Sequence, residues 1–131
     1  LELSIVRGSS NENATEEEHY EDFLRAVLLS SNPKYRVAAN FLRGAIFGSK
    51  DYIPSTILLA LLGGHFSPII HAWEIPAIDG QKSGEYMCAL FDVNHAYGLC
   101  ILPVRKLYSA VRTFDLMNGD SRGLIITKLN D

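Results

Sequence analysis

The sequence lacks the features that mark several large classes of protein. Its formal net charge is −3 and it has no cluster of Lys and Arg, so it lacks the basic field that attracts nucleic acid. Its apolar runs, such as residues 57–62, fall far short of the ~20 residues that a transmembrane helix needs. The chain does not open with a basic segment followed by an apolar one, as a secretory signal does. We therefore expect no nucleic-acid partner and no membrane span.

Cysteine is also scarce. Cys88 and Cys100 are the two cysteines of the chain, too few for a disulfide framework. Free cysteine is commonly a small buried hydrophobe, so we interpret both as core residues. The lack of a disulfide framework favours a reducing compartment, and we expect a cytoplasmic protein. No tightly bound cofactor and no metal site is predicted. The first residue is Leu1 rather than Met, which indicates a processed form or a piece of a longer chain.

What is present fits one small α+β domain, since 47% of the residues are hydrophobic and 21% charged. Residues 1–15 are interpreted as a flexible acidic lead-in or linker, with room for a short strand at 3–6, and residues 16–131 as the domain itself. Thr15 with Glu18 forms a capping-box pattern, and the apolar spacing that follows predicts a helix over about 16–30.

The second half of the chain favours an antiparallel sheet. Residues 76–84 have the composition of a hairpin loop, and residues 86–93 are so apolar that we expect burial on both faces of that strand. A helix is predicted after Pro103, with a buried face made of Val104, Leu107, Tyr108 and Val111. Strands are predicted over 65–75, 86–93, 99–102 and 123–129. Two segments, 35–40 and 52–62, fit either a strand or a helix.

One histidine is set for chemistry or for tight packing. His65 lies between a glycine pair and a Phe-Ser-Pro-Ile run, at the start of a predicted strand. Asp92 ends the predicted hairpin partner of that strand, and adjacent strands lie about 4.8 Å apart. A carboxylate so placed holds an imidazole in one tautomer and stabilises its protonated form. In a nucleophilic enzyme the third member is Ser or Cys.

Five stretches carry a resemblance to a known family. They are residues 35–43, 63–69, 89–93 and 101–111, and the element made of Phe114, Asp115 and residues 121–124. In the same order they resemble motifs of the phytochelatin synthases, which are papain-like cysteine transpeptidases. The likeness runs from about residue 20 to 129. It implies a papain-like cysteine peptidase fold, of which residues 16–131 are the C-terminal part, with the antiparallel sheet and its flanking helices.

The resemblance also implies a reaction and its residues. His65 would be the general base and acid, and Asp92 would orient it. Asp115 would take the α-ammonium of the γ-glutamyl group of glutathione, and Arg122 its carboxylate. The family transfers γ-glutamylcysteine from glutathione to a second glutathione, a phytochelatin or water and releases glycine, with heavy-metal (Cd, Zn) thiolates of glutathione as acceptors.

The nucleophilic cysteine of the family has no counterpart here. Both cysteines follow His65, whereas the papain-like nucleophile precedes its histidine by roughly 130–150 residues. We therefore expect the nucleophile on a preceding segment outside this chain. The alternative is a catalytically dead relative that binds a γ-glutamyl peptide or a protein partner. A further alternative is a structural α+β domain in which the motifs are chance and His65 and Asp92 lie far apart.

Overall fold

A computed structural model describes residues 2–7, 13–41, 65–92, 98–112, 114–115, 120–121 and 123–130. The described helices are α1 (Glu16–Leu28), which runs into a short 3₁₀ turn (Leu29–Ser31), and α2 (Val104–Val111). The described strands are β1 (Glu2–Arg7), β2 (Tyr35–Phe41), β3 (His65–Pro76), β4 (Lys82–Phe91), β5 (Leu99–Pro103), β6 (Phe114–Asp115), β7 (Asp120–Ser121) and β8 (Gly123–Lys128). This is an α+β fold, as the sequence predicts.

The start of α1 follows from its first residues. The Thr15 hydroxyl accepts from the Glu18 backbone N–H at 3.2 Å, and the Glu18 carboxylate accepts from the Thr15 N–H at 3.1 Å. The capping box is thus confirmed in both directions. Three glutamates fill the first turn, where the positive end of the helix dipole favours negative charge.

Most of the described strands form one antiparallel sheet of six, in the order β1-β8-β2-β3-β4-β5. Strands β2 to β5 are neighbours in chain order, whereas β8 returns from the end of the chain to pair with β2. The strand β1 pairs with β8, so the acidic lead-in contributes an edge strand; the domain boundary at residue 15 stays a prediction. A separate two-stranded ribbon joins β6 and β7.

Both helices pack on one face of the sheet. On α1 the buried side chains include Tyr20, Phe23 and Val27, and on α2 all of the four predicted residues are buried. The Tyr108 ring of α2 contacts the rings of Tyr20 and Phe23, with centroids 5.4 and 5.2 Å away. The core therefore lies between the helices and the inward side chains of the sheet.

The opposite face of the sheet is partly open. Phe91 is 50% exposed, so β4 is not buried on both faces along its length as its composition suggests. Burial of successive residues is confined to Cys88, Ala89 and Leu90. Along β5 the exposure alternates, since Leu102 is buried whereas Ile101 and Pro103 are exposed.

Several boundaries differ from the sequence prediction. The segment 35–40, for which the sequence allows a strand or a helix, is strand β2. The β3–β4 turn is shorter than the predicted loop at 76–84, because Lys82 already pairs with Pro76. The segment 52–62 lies outside the described residues.

Candidate functional site

Asp92 is a buried carboxylate directly after the last residue of β4. It is 2% exposed, and its Oδ2 accepts a hydrogen bond of 3.0 Å from the Ser67 hydroxyl on β3. Ser67 is itself fully buried. A buried carboxylate is costly unless hydrogen-bond donors satisfy it, and Ser67 is such a donor.

The backbone of Asp92 is held as well. Its N–H donates to the Gly98 carbonyl at 2.8 Å, which joins the end of β4 to the residue before β5. Gly98 has a φ of 55°, a left-handed conformation that glycine adopts without steric cost. This backbone hydrogen bond holds the main chain of Asp92, and with it the origin of the carboxylate side chain, in place beyond the end of β4.

His65 is the first residue of β3, and its Cα partner on β2 is Phe41. Ser67 follows two positions later in the same strand. Since residues two apart in a strand share a face, position 65 has the parity of Ser67. Ile69 pairs with Leu90, so the register continued by two residues sets Ser67 opposite Asp92, as their hydrogen bond also requires.

The predicted substrate residues are only partly described. Asp115 lies in the β6–β7 ribbon, where its Cα partner is Asp120. Arg122 lies outside the described residues. Gly123, which follows it, begins β8 at the end of the sheet where β3 starts, because Leu124 pairs with Ala39 and Phe41 with His65.

Neither cysteine is placed as a nucleophile for this site. Cys88 is fully buried, and burial, with a smaller effect from Cys100, raises the pKa of its thiol to about 12. It precedes Asp92 by four residues in an extended strand, a distance of about 13 Å. Cys100 is half-buried against the core, and both are free thiols. The interpretation of the cysteines as core residues is confirmed for Cys88, and Cys100 packs at the edge of the core.

Metal-binding side chains are not gathered in the described part of the chain. No group of three His, Cys, Asp or Glu that could hold a metal ion occurs there. His71 contacts the Ser31 hydroxyl through Nδ1 at 2.9 Å and stacks on Trp73.

A cleft of about 350 Å³ lies between α1 and the β3–β4 hairpin. Its walls include Tyr20, Leu24, Tyr86 and Arg105. It contains none of the residues that the sequence predicts for catalysis. The Arg105 guanidinium is already paired with Glu17 and lies over the Tyr20 ring, so its charge serves the packing of the two helices.

Sequence reasoning missed the roles of Ser67 and Gly98. The signal for Ser67 was its spacing of two from His65 in a strand. The spacing does not identify the partner of Ser67, because that partner depends on the register of β3 and β4, which the length of the hairpin loop alone does not determine. The Gly98 contact depends on the path between β4 and β5.

The chain has no match among protein-family models or among curated proteins. In the described residues no helix is both long and apolar enough to cross a membrane.

Proposed function

We propose that this chain carries the histidine–aspartate part of a papain-like active site of the phytochelatin synthase type. The observation that carries the proposal is Asp92, buried at the end of β4 and bonded to Ser67, two residues from His65. The papain-like fold is part of the proposal. The antiparallel sheet with helices on one face is compatible with that fold.

The register supports a His65–Asp92 pair. Position 65 is a diagonal neighbour of Asp92 across β3 and β4, and diagonal neighbours in an antiparallel pair lie about 7–8 Å apart at Cα. In the proposed reaction Asp92 orients the imidazole and stabilises its protonated form.

The nucleophile in this proposal is a cysteine outside the 131 residues. Its thiolate attacks the Cys–Gly carbonyl of glutathione, and His65 gives a proton to the departing glycine amine. The γ-glutamylcysteinyl thioester is then attacked by the amine of a second glutathione, or by water. A Cd or Zn thiolate of glutathione is the acceptor substrate that the family resemblance favours.

Substrate recognition is proposed at the neighbouring chain segment. A γ-glutamyl head carries one ammonium and one carboxylate, which Asp115 and Arg122 match in charge. Asp115 pairs with Asp120, three residues before Gly123, so chain length keeps Asp115 within ~15 Å of the start of β8. That strand end is also the His65 end of the sheet.

The test is glycine release from glutathione by the protein that includes the sequence upstream of Leu1. His65→Ala is expected to lower the rate about 10²–10⁴-fold, the usual contribution of a general acid–base. Ser109→Ala, in a helix surface position, serves as the control. A His65→Ala rate equal to that of the unaltered protein would remove His65 from the mechanism.

A non-catalytic binding role is the second candidate. A binding role needs no nucleophile, and neither cysteine of these 131 residues is placed as one, because both follow His65 in the sequence and Cys88 is fully buried. This role predicts that calorimetry detects the binding of glutathione to this chain. Arg122→Gln should lower the affinity about tenfold or more. This role also predicts no glycine release when the upstream sequence is present.

A further inference from the structure

We infer that Ser67 is a positioning residue, whose hydroxyl fixes the Asp92 carboxylate in the orientation that serves His65. The inference rests on the proposed function for the role of His65. The Ser67–Asp92 contact itself is a feature of the described structure. Ser67 lies two residues after His65 in β3, so one short strand segment supplies both the imidazole and the group that orients its partner.

The direction of the hydrogen bond follows from the chemistry of the two groups. An ionised carboxylate only accepts, so the Ser67 hydroxyl donates its proton to Oδ2 of Asp92 at 3.0 Å. Both residues are almost without solvent contact. A hydrogen bond to the charged form of a buried acid favours that form, and the ionised aspartate is the form that stabilises an imidazolium.

The two residues differ in how their backbones are held. Ser67 is inside a central strand, with Ala39 as its Cα partner on β2. Asp92 lies one residue beyond the last described β4–β5 pair, Phe91 with Leu99. The Ser67 hydroxyl therefore ties a carboxylate just past a strand end directly to a residue inside the sheet.

The experiment uses the 131-residue chain with isotope-labelled His and Asp, and NMR titration midpoints of His65 and Asp92. Ser67→Ala is expected to raise the Asp92 midpoint by about one pH unit, since a hydrogen bond to a charged group is lost. The His65 midpoint is expected to fall in the same variant. Ser67→Thr, which keeps the hydroxyl on a strand-forming residue, should restore both midpoints.

Two further variants separate positioning from general destabilisation. Ser31→Ala removes another serine that holds β3 and is expected to leave both midpoints unchanged. Ser67→Cys keeps a similar volume and a weak donor, so it should shift the midpoints in the same direction but less. It replaces Ser67→Ala if that variant does not fold.

Asp92→Asn distinguishes failure of the Ser67 role alone from failure of the His65–Asp92 pair itself. It is expected to lower the His65 midpoint by about 1–3 pH units, the usual effect of losing a close opposite charge. If it does so while Ser67→Ala leaves His65 unmoved, the positioning role is overturned and the His65–Asp92 pair stands. If Asp92→Asn leaves His65 unmoved, the pair and the proposed function are overturned together with the role of Ser67.

Discussion

The guanidinium carbon of Arg105 lies 3.8 Å from the centroid of the Tyr20 ring, and Nη2 of Arg105 donates to Glu17 at 2.9 Å. One side chain of α2 thus contacts α1 through an aromatic face and through a carboxylate. A second arginine, Arg112, pairs with Glu16 and approaches the Tyr108 ring. The helix–helix contact is therefore lined by cations at its solvent edge.

Replacing Arg105 tests this contact. Burial raises the pKa of Tyr20, while the nearby Arg105 charge acts in the opposite direction. Arg105→Met keeps the stem over the ring but removes the charge, so the Tyr20 pKa should rise further, as followed by NMR of labelled tyrosine. The free energy of unfolding should fall by about 0.5–1 kcal/mol.

Arg25→Met is the matched control for Arg105→Met. Arg25 pairs with Asp22 on the surface of α1, and both side chains are mostly exposed. Exposed pairs of this kind contribute little, so the unfolding free energy should change by less than about 0.5 kcal/mol. An equal loss in both variants would contradict a specific role for Arg105.

Ser31 and Ser30 are adjacent, and substitution by Ala should destabilise the protein at Ser31 but not at Ser30. The Ser31 hydroxyl donates to the Ala72 carbonyl at 2.7 Å and accepts from the Ala72 N–H at 3.0 Å. Ser31→Ala leaves both backbone groups unpaired and should lower the unfolding free energy by about 1–3 kcal/mol. The Ser30 hydroxyl oxygen is buried without a partner in the described part of the chain, so Ser30→Ala should be neutral or stabilising. Urea unfolding of the two variants decides between these outcomes.

The β5 register gives a test with neighbouring residues. Leu102 is 3% exposed and faces the helices, whereas Ile101 is 55% exposed on the other face. Leu102→Ala should cost about 2–5 kcal/mol, because it leaves a cavity in the core. Ile101→Thr should change stability by about 0.5 kcal/mol or less. A larger loss for Ile101→Thr would mean that the strand is shifted by one residue.

Thiol labelling tests the burial of Cys88. Burial raises the pKa of Cys88 to about 12, so the thiolate, which is the reactive form, is scarce near neutral pH. Iodoacetamide should therefore modify the half-buried Cys100 first, and Cys88 only after unfolding, as mapped by mass spectrometry. Preferential labelling of Cys88 would contradict its burial.

The same pKa shift makes a prediction about alkaline stability. The folded-state pKa of Cys88 lies above the ordinary value of 9.0, so its contribution to stability is complete below about that pH. That contribution is lost as the pH rises towards about 12. Cys88→Ala should flatten this part of the stability profile, measured by urea unfolding at a series of alkaline pH values.

Local patterns in the sequence predicted the elements whose signals are local. Thr15 and Glu18 specify the start of α1, because both partners of the capping box lie within one turn. The α2 core face, which includes Leu107 and Tyr108, follows from helical periodicity. The composition of residues 76–84 predicts the β3–β4 hairpin but makes its turn too wide, because composition does not fix where pairing starts.

Local sequence patterns are enough to predict the helix cap, the apolar face of α2 and the strand character of the second half, and to select His65 and Asp92 as candidates. Three features need the folded chain: β8 inserts beside β2, Phe91 and Ile101 face away from the core, and Ser67 donates to Asp92. The physical reason is range: caps and periodicity depend on residues a few positions apart, whereas the Ser67–Asp92 bond joins residues 25 positions apart through the register of two strands.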